Sequence, residues 1–104
     1  MKADSLKDFV ADQLRGLEGL ECRAMFGGCG LYAGEKFFGI LFKGRLYFKT
    51  NDATRDAYLG RGMKPFQPKP KQKLGNYYEV PADVMEQATQ LQSWAREALN
   101  VAGK

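Results

Sequence analysis

The sequence predicts an α+β domain, an antiparallel sheet of about five to six strands with helices packed on one face. Three observations lead there. A helical apolar stripe opens the chain, glycine-punctuated β-rich segments fill residues 21–50, and a second helical stripe closes it. The 104 residues form one domain, 1–104, with no internal repeat and no linker long enough to divide it.

The first helix is read over residues 5–17, where Leu6, Phe9, Val10, Leu14 and Leu17 recur at helical spacing. Ser5 with Asp8 resembles a capping pair, and Gly16 and Gly19 mark the exit. Arg23–Phe26 is a short strand, Gly27-Gly28 a turn, and Cys29–Ala33 the returning strand. Gly34 turns the chain into Lys36–Phe42, and Lys43-Gly44 is a tight loop into Arg45–Thr50. Loops this short make the neighbouring strands antiparallel. Asn51 or Asp52 caps a short helix that Gly60 and Gly62 stop. Pro65, Pro68 and Pro70 confine the next segment to an edge strand or a loop. Asn76–Val80 is the last strand. Asp83 with Glu86, and Thr89 with Gln92, signal a short helical turn and a longer final helix.

Composition removes several functions. There is no histidine, which excludes Ser-His and Cys-His nucleophile pairs, and two cysteines are too few for a structural zinc site without it. No apolar run approaches the ~20 residues that span a bilayer, and no secretory leader is evident. A cytoplasmic location is the expectation. Cys22 and Cys29 fit it, being read as small buried hydrophobes rather than a disulfide framework. No cofactor, metal site, membrane partner or small-molecule substrate is indicated. The net charge of +4 leaves nucleic acid undecided.

Four places bear on function. Gly27-Gly28-Cys29-Gly30 has the glycine content of a phosphate loop, but it runs into a strand instead of a helix, which favours a turn or bulge. Cys29 among those glycines is the candidate nucleophile of an enzyme reading, the weakest of the three weighed here. Arg61, Lys64, Lys69, Lys71 and Lys73 form a basic segment with Phe66, Tyr77 and Tyr78 close by. Lysines reach phosphates and aromatic rings stack bases, yet lysine and proline also guard edge strands. Finally, a Lys43-Gly44 loop sets Ile40 opposite Tyr47 and Leu41 opposite Leu46. Simple alternation then puts Phe38, Ile40, Phe42 and Tyr47 on one face and Phe37, Leu41, Leu46 and Phe48 on the other. Both faces are apolar, so the first is the candidate surface for a protein partner or a second copy.

Five blocks, Met25–Tyr32, Arg45–Lys49, Gly62–Phe66, Tyr77–Pro81 and Trp94–Leu99, together resemble the N-terminal domain of the TfoX/Sxy family, regulators of bacterial competence. The resemblance implies an α+β domain with a regulatory role and no established catalytic residue or cofactor. Gly27, Gly28, Gly30, Tyr32, Pro65, Phe66, Tyr77 and Tyr78 belong to these blocks without an assigned role. Members with the full regulatory architecture carry a second, C-terminal domain, and this chain is expected to stand without it. The expectation is a non-catalytic binding module that acts through protein contacts, as a homodimer or on another protein. Direct nucleic-acid binding through residues 61–73 is the alternative.

Overall fold

The computed structural model describes residues 3–25, 28–69 and 72–103. Helix α1 (Ala3–Gln13) leads into β1 (Leu20–Met25), β2 (Gly28–Ala33), β3 (Lys36–Phe42) and β4 (Arg45–Lys49). Helix α2 (Asp52–Leu59) precedes the hairpin of β5 (Pro65–Lys69) and β6 (Gln72–Glu79), and α3 (Ala82–Met85) and α4 (Ala88–Ala102) end the chain. The strands form one antiparallel sheet of six in the order β1-β2-β3-β4-β6-β5.

The turns follow from local chemistry. Lys43 and Gly44 both have positive φ, 50° and 75°, the backbone of a tight hairpin turn whose twist suits the flanking strands. The loop fixes the register as the sequence implies, Ile40 opposite Tyr47 and Leu41 opposite Leu46. Asn51 caps α2 through a reciprocal box: its side chain accepts from the Thr54 amide, and its own amide donates to the Thr54 hydroxyl. Other boundaries move. Helix α1 begins at Ala3, so Ser5 lies inside it instead of capping it. It ends at Gln13, and Leu14 and Leu17 reach the core from the turns that follow. The caps of α3 and α4 are Pro81 and Gln87, with no side-chain hydrogen bond, so Asp83 and Thr89 are not caps. Gln92 of α4 instead donates to the exposed end of α1 at Gln13 O (3.1 Å), and Gln13 donates to Met85 O (2.8 Å).

The main core lies between the helices and one sheet face. Leu6, Val10 and Leu14 from the first helical region meet Val84, Leu91, Ala95 and Ala98 from the last two helices over Leu31, Phe38, Leu41, Leu46 and Phe48. A second, smaller core of Ile40, Tyr47, Phe66 and Tyr77 occupies the helix-free face. Phe66 closes it: its ring meets Phe42 at 5.3 Å and Tyr47 at 4.9 Å, both edge to face. The proline-bearing strand is therefore an edge strand whose one aromatic side chain folds back over the sheet.

A β-bulge between β2 and β3 corrects the face assignment. Leu31 opposes Gly39 and Tyr32 opposes Phe37, which leaves Phe38 as the extra residue. Past the bulge the alternation flips, so Phe37 and Phe38 exchange faces. Phe38 is fully buried under the helices against Phe48 (5.8 Å), not on the face proposed for a partner. Phe37 joins the helix-free face, stacked on Tyr32 at 5.0 Å and tilted against Tyr77 at 5.4 Å.

Burial raises the hydroxyl pKa of Tyr47, Tyr58 and Tyr77 above its ordinary value. Neighbouring Glu79, Glu97 and Tyr32 respectively add to the effect, and Arg45 opposes it at Tyr47. A folded-state pKa above the unfolded one means stability that is complete below pH about 10 and lost as pH rises beyond it. Melting temperature is expected to be flat to about pH 9 and to fall between about pH 10 and 12. Tyr58→Phe should flatten that alkaline limb. An unchanged limb would remove Tyr58 from the account.

Candidate partner-binding surface

The sheet has two open edges, and they differ. Strand β5 carries Pro65 and Pro68, which lack amide donors, and Lys69 at its end. Such an edge resists pairing with another strand. Strand β1, Leu20-Glu21-Cys22-Arg23-Ala24-Met25, has no proline and, among the described strands, pairs only with β2. Its direction of hydrogen bonding can be read from its start. The Gly34 amide donates to Gly19 O (3.2 Å), which makes that opposed pair a hydrogen-bonded one. Bonded pairs alternate along an antiparallel ladder. Glu21 and Arg23 therefore bond inward to β2, while Leu20, Cys22 and Ala24 direct their N–H and C=O groups outward.

On the helix-free face Arg23 pairs with Glu21 at 2.9 Å and lies over the Tyr32 ring at 4.2 Å. The row Arg23, Tyr32, Phe37, Tyr77 thus runs from β1 across the sheet. Its rings are packed against one another, with the guanidinium closing the Tyr32 end. A base stacks on an open ring face, so this row is a self-filled stack rather than a platform for nucleotides. It supports β1 from behind.

On the other face, Cys22 and Cys29 are joined by a disulfide across β1 and β2. Cys22 opposes Leu31, and Cys29 opposes Ala24, so the two are diagonal neighbours on one face with Cα atoms 5.8 Å apart. This corrects their reading as separate small hydrophobes. It also leaves Cys29 without the free thiol that a nucleophile requires. The cross-link closes a loop with a sequence separation of 7, worth on the order of 2–3 kcal/mol against the unfolded chain.

The other sequence-nominated residues fall as follows. Ile40 and Tyr47 are buried in the second core, with Phe42 half-buried beside them. That face is therefore covered by the chain's own Phe66. Gly30 is buried in β2, and Pro65 sits opposite Tyr78, which is half-buried 6.3 Å from Tyr58. Gly28 opens β2, where a Cβ would collide with Leu41 O, so glycine is required by close strand approach. Gly27 lies outside the described residues. In the basic segment, Arg61 is engaged by Asp83 (2.5 Å) and lies over Trp94 (5.6 Å). This partner holds the Asp83 carboxyl below its usual pKa, first through the hydrogen bond. Lys64 is exposed in a shallow hollow with Arg45 and Glu79, which pair with each other at 3.0 Å. Lys71, and the side chains of Lys69 and Lys73, lie outside the described residues. Among the described residues no acidic, cysteine or histidine cluster suits a metal, and no helix is long and apolar enough to cross a membrane.

An α+β sheet carrying these five sequence blocks is what the family comparison tests. The profile of the TfoX N-terminal domain matches residues 12–102. The chain belongs to the TfoX N-terminal domain family. The match takes in every described strand, α2, α3 and all of α4. No curated protein matches the chain. Sequence reasoning missed Glu21 and Arg23, because an alternating Glu-x-Arg on a strand reads as ordinary solvated charge until the strand is known to be an edge.

Proposed function

We propose that this TfoX N-terminal domain is a non-catalytic regulatory module of the competence-regulator type, acting through protein contacts as a homodimer joined along β1. The observation that carries the reading is the unguarded edge of β1 and its self-complementarity. Two copies of β1 paired antiparallel about Cys22 set Leu20 opposite Ala24 of the second copy, matching the outward N–H and C=O groups. The same register sets Glu21 of each copy opposite Arg23 of the other. Directly opposed unlike charges are worth roughly 0.2–1 kcal/mol per pair, and a two-fold axis supplies two of them. The result is one continuous sheet through both copies, with main-chain bonds giving affinity.

Light scattering over a concentration series tests this. The wild type is expected to reach a dimer mass. Ala24→Pro removes one outward amide while leaving the β2 side of the ladder intact, and should be monomeric with an unchanged far-ultraviolet spectrum. Glu21→Arg should weaken the dimer, and adding Arg23→Glu should restore it. A wild type that stays monomeric, or an Ala24→Pro chain that dimerises equally well, rejects the edge. Salt-dependent binding to DNA by a monomer would move the reading to residues 61–73.

A further inference from the structure

Cys22 stands in the middle of the unguarded edge, and it directs its N–H and C=O groups outward. Its side chain packs with that of Cys29 against the main core, on the face that the helices cover. Glu21 and Arg23 alternate to the opposite face, where they pair with each other, so charge and sulfur do not compete for space. Both cysteines are half-buried, and Ala24 beside them is exposed. The bridge borders a cavity of roughly 300 Å³ that Leu6, Ala24 and Gly28 help to line, which leaves the sulfurs open to a small thiol. When two copies pair antiparallel about Cys22, this residue opposes itself. Opposed hydrogen-bonded residues in an antiparallel pair have Cα atoms about 5.5 Å apart and project their side chains to the same face. That separation lies within the span of a disulfide, and it is no longer than the 5.8 Å across which the chain already joins Cys22 to Cys29.

We infer that Cys22 is a cross-linking site for a second copy of this chain, reached by disulfide exchange across the two-fold axis. The inference rests on the β1 dimer proposed above. A dithiol reductant first opens the bridge of one copy: the dithiol is oxidised to its cyclic disulfide, and Cys22 and Cys29 of that copy are reduced. The Cys22 thiolate then attacks Cys22 Sγ of the second copy, whose bridge is intact. The Cys22–Cys22 bond forms, the Cys22–Cys29 bond of the second copy breaks, and its electron pair leaves on Cys29 as a thiolate. One bridge replaces another, so this step needs no oxidant. Across the four strands the sulfurs run Cys29, Cys22, Cys22, Cys29. The leaving sulfur therefore lies on the far side of the attacked one from the nucleophile, which is the approach that displacement at sulfur takes. Cys22 thus has two bonding states, a staple within the chain and a covalent tie between copies that no longer depends on protein concentration.

The test uses the full chain with its bridge formed, treated with one equivalent of dithiothreitol per two chains and quenched with N-ethylmaleimide. Intact mass is expected to show a covalent dimer carrying two maleimide groups. Trypsin cuts after Arg23 and so places the two cysteines on separate peptides. The cross-linked product should then yield the Cys22 peptide joined to a second copy of itself. A second measurement starts from Cys29→Ser, which leaves Cys22 free. Diamide should cross-link it on the order of a hundredfold faster than Cys29→Ser with Ala24→Pro, because pairing along β1 raises the effective thiol concentration from micromolar toward millimolar. A chain that is dimeric by light scattering, yet forms only intrachain bridges or cross-links through Cys29, overturns the exchange and leaves the β1 edge standing. A cross-linking rate unmoved by Ala24→Pro overturns it as well. A chain that is monomeric and gives no cross-link rejects both the exchange and the edge.

Discussion

Phe38→Ala is expected to lower unfolding stability by about 3–5 kcal/mol, and Phe37→Ala by no more than about half of that. The two residues are adjacent and chemically identical, so the difference isolates position. Phe38 has 0% exposure and packs against Phe48 beneath the helices, where truncation leaves a cavity that surrounding side chains fill only in part. Phe37 is half-buried in the row with Tyr32 and Tyr77, where water can replace part of the lost contact. Gly39 makes the arrangement feasible. It opposes Phe48 and Leu31, and a Cβ there would sit 2.9 Å from Tyr47 O and 3.1 Å from the Phe48 ring. A large residue at 38 and none at 39 fill the space under α4 together. Urea unfolding of both variants, read by Trp94 fluorescence and circular dichroism, measures the two costs. Equal costs, or a larger cost at Phe37, would mean that the bulge is absent and that simple alternation runs through β3.

That bulge marks the limit of what the chain reveals on its own. Element type was legible wherever one periodicity persisted: the apolar stripes of α1 and α4, the Lys43-Gly44 turn, and the register of β3 with β4. Those depend on residues near in sequence. The side-chain faces of β3 depend on how β2 pairs with it, and an extra residue inside Phe37-Phe38-Gly39 leaves no compositional mark. The same holds for the bridge. Cys22 and Cys29 flank a glycine turn, but whether they meet depends on hairpin register, since a slip by one residue sends one sulfur to the opposite face. The proline-rich segment was legible as an edge because proline cannot donate to a ladder. Its lysines gave no sign that Arg61 would be taken by Asp83, a contact made across 22 residues of chain. The face nominated for a partner is covered for a related reason: two apolar faces on a hairpin suggest an exposed patch only if nothing else in the chain covers one of them.

Phe66 is what covers it, and its removal carries the second large expectation. Phe66→Ala should cost about 3–5 kcal/mol, the range for a fully buried aromatic, although the residue belongs to an edge strand. In an edge strand without tertiary contact the same change would be nearly neutral. The ring has 0% exposure and stands edge-on to both Phe42 and Tyr47, so its loss opens the second core to water. Tyr47 reports this independently of stability. Its hydroxyl pKa is raised above its ordinary value chiefly by burial, with Glu79 adding to the effect and Arg45 opposing it. Hydration would bring it back toward the ordinary tyrosine range. Resonances of labelled tyrosine rings followed through alkaline pH should show the Tyr47 titration moving down in the variant while that of Tyr58, on the other side of the sheet, stays in place. An unshifted Tyr47 would mean that β4 and β6 alone bury it, and that Phe66 is not the cover. The variant also separates two modes of self-association. With Ile40, Phe42 and Tyr47 uncovered, copies should associate face to face, and Ala24→Pro should not prevent it. In the wild type, where Phe66 occupies that face, association should depend on the β1 edge alone.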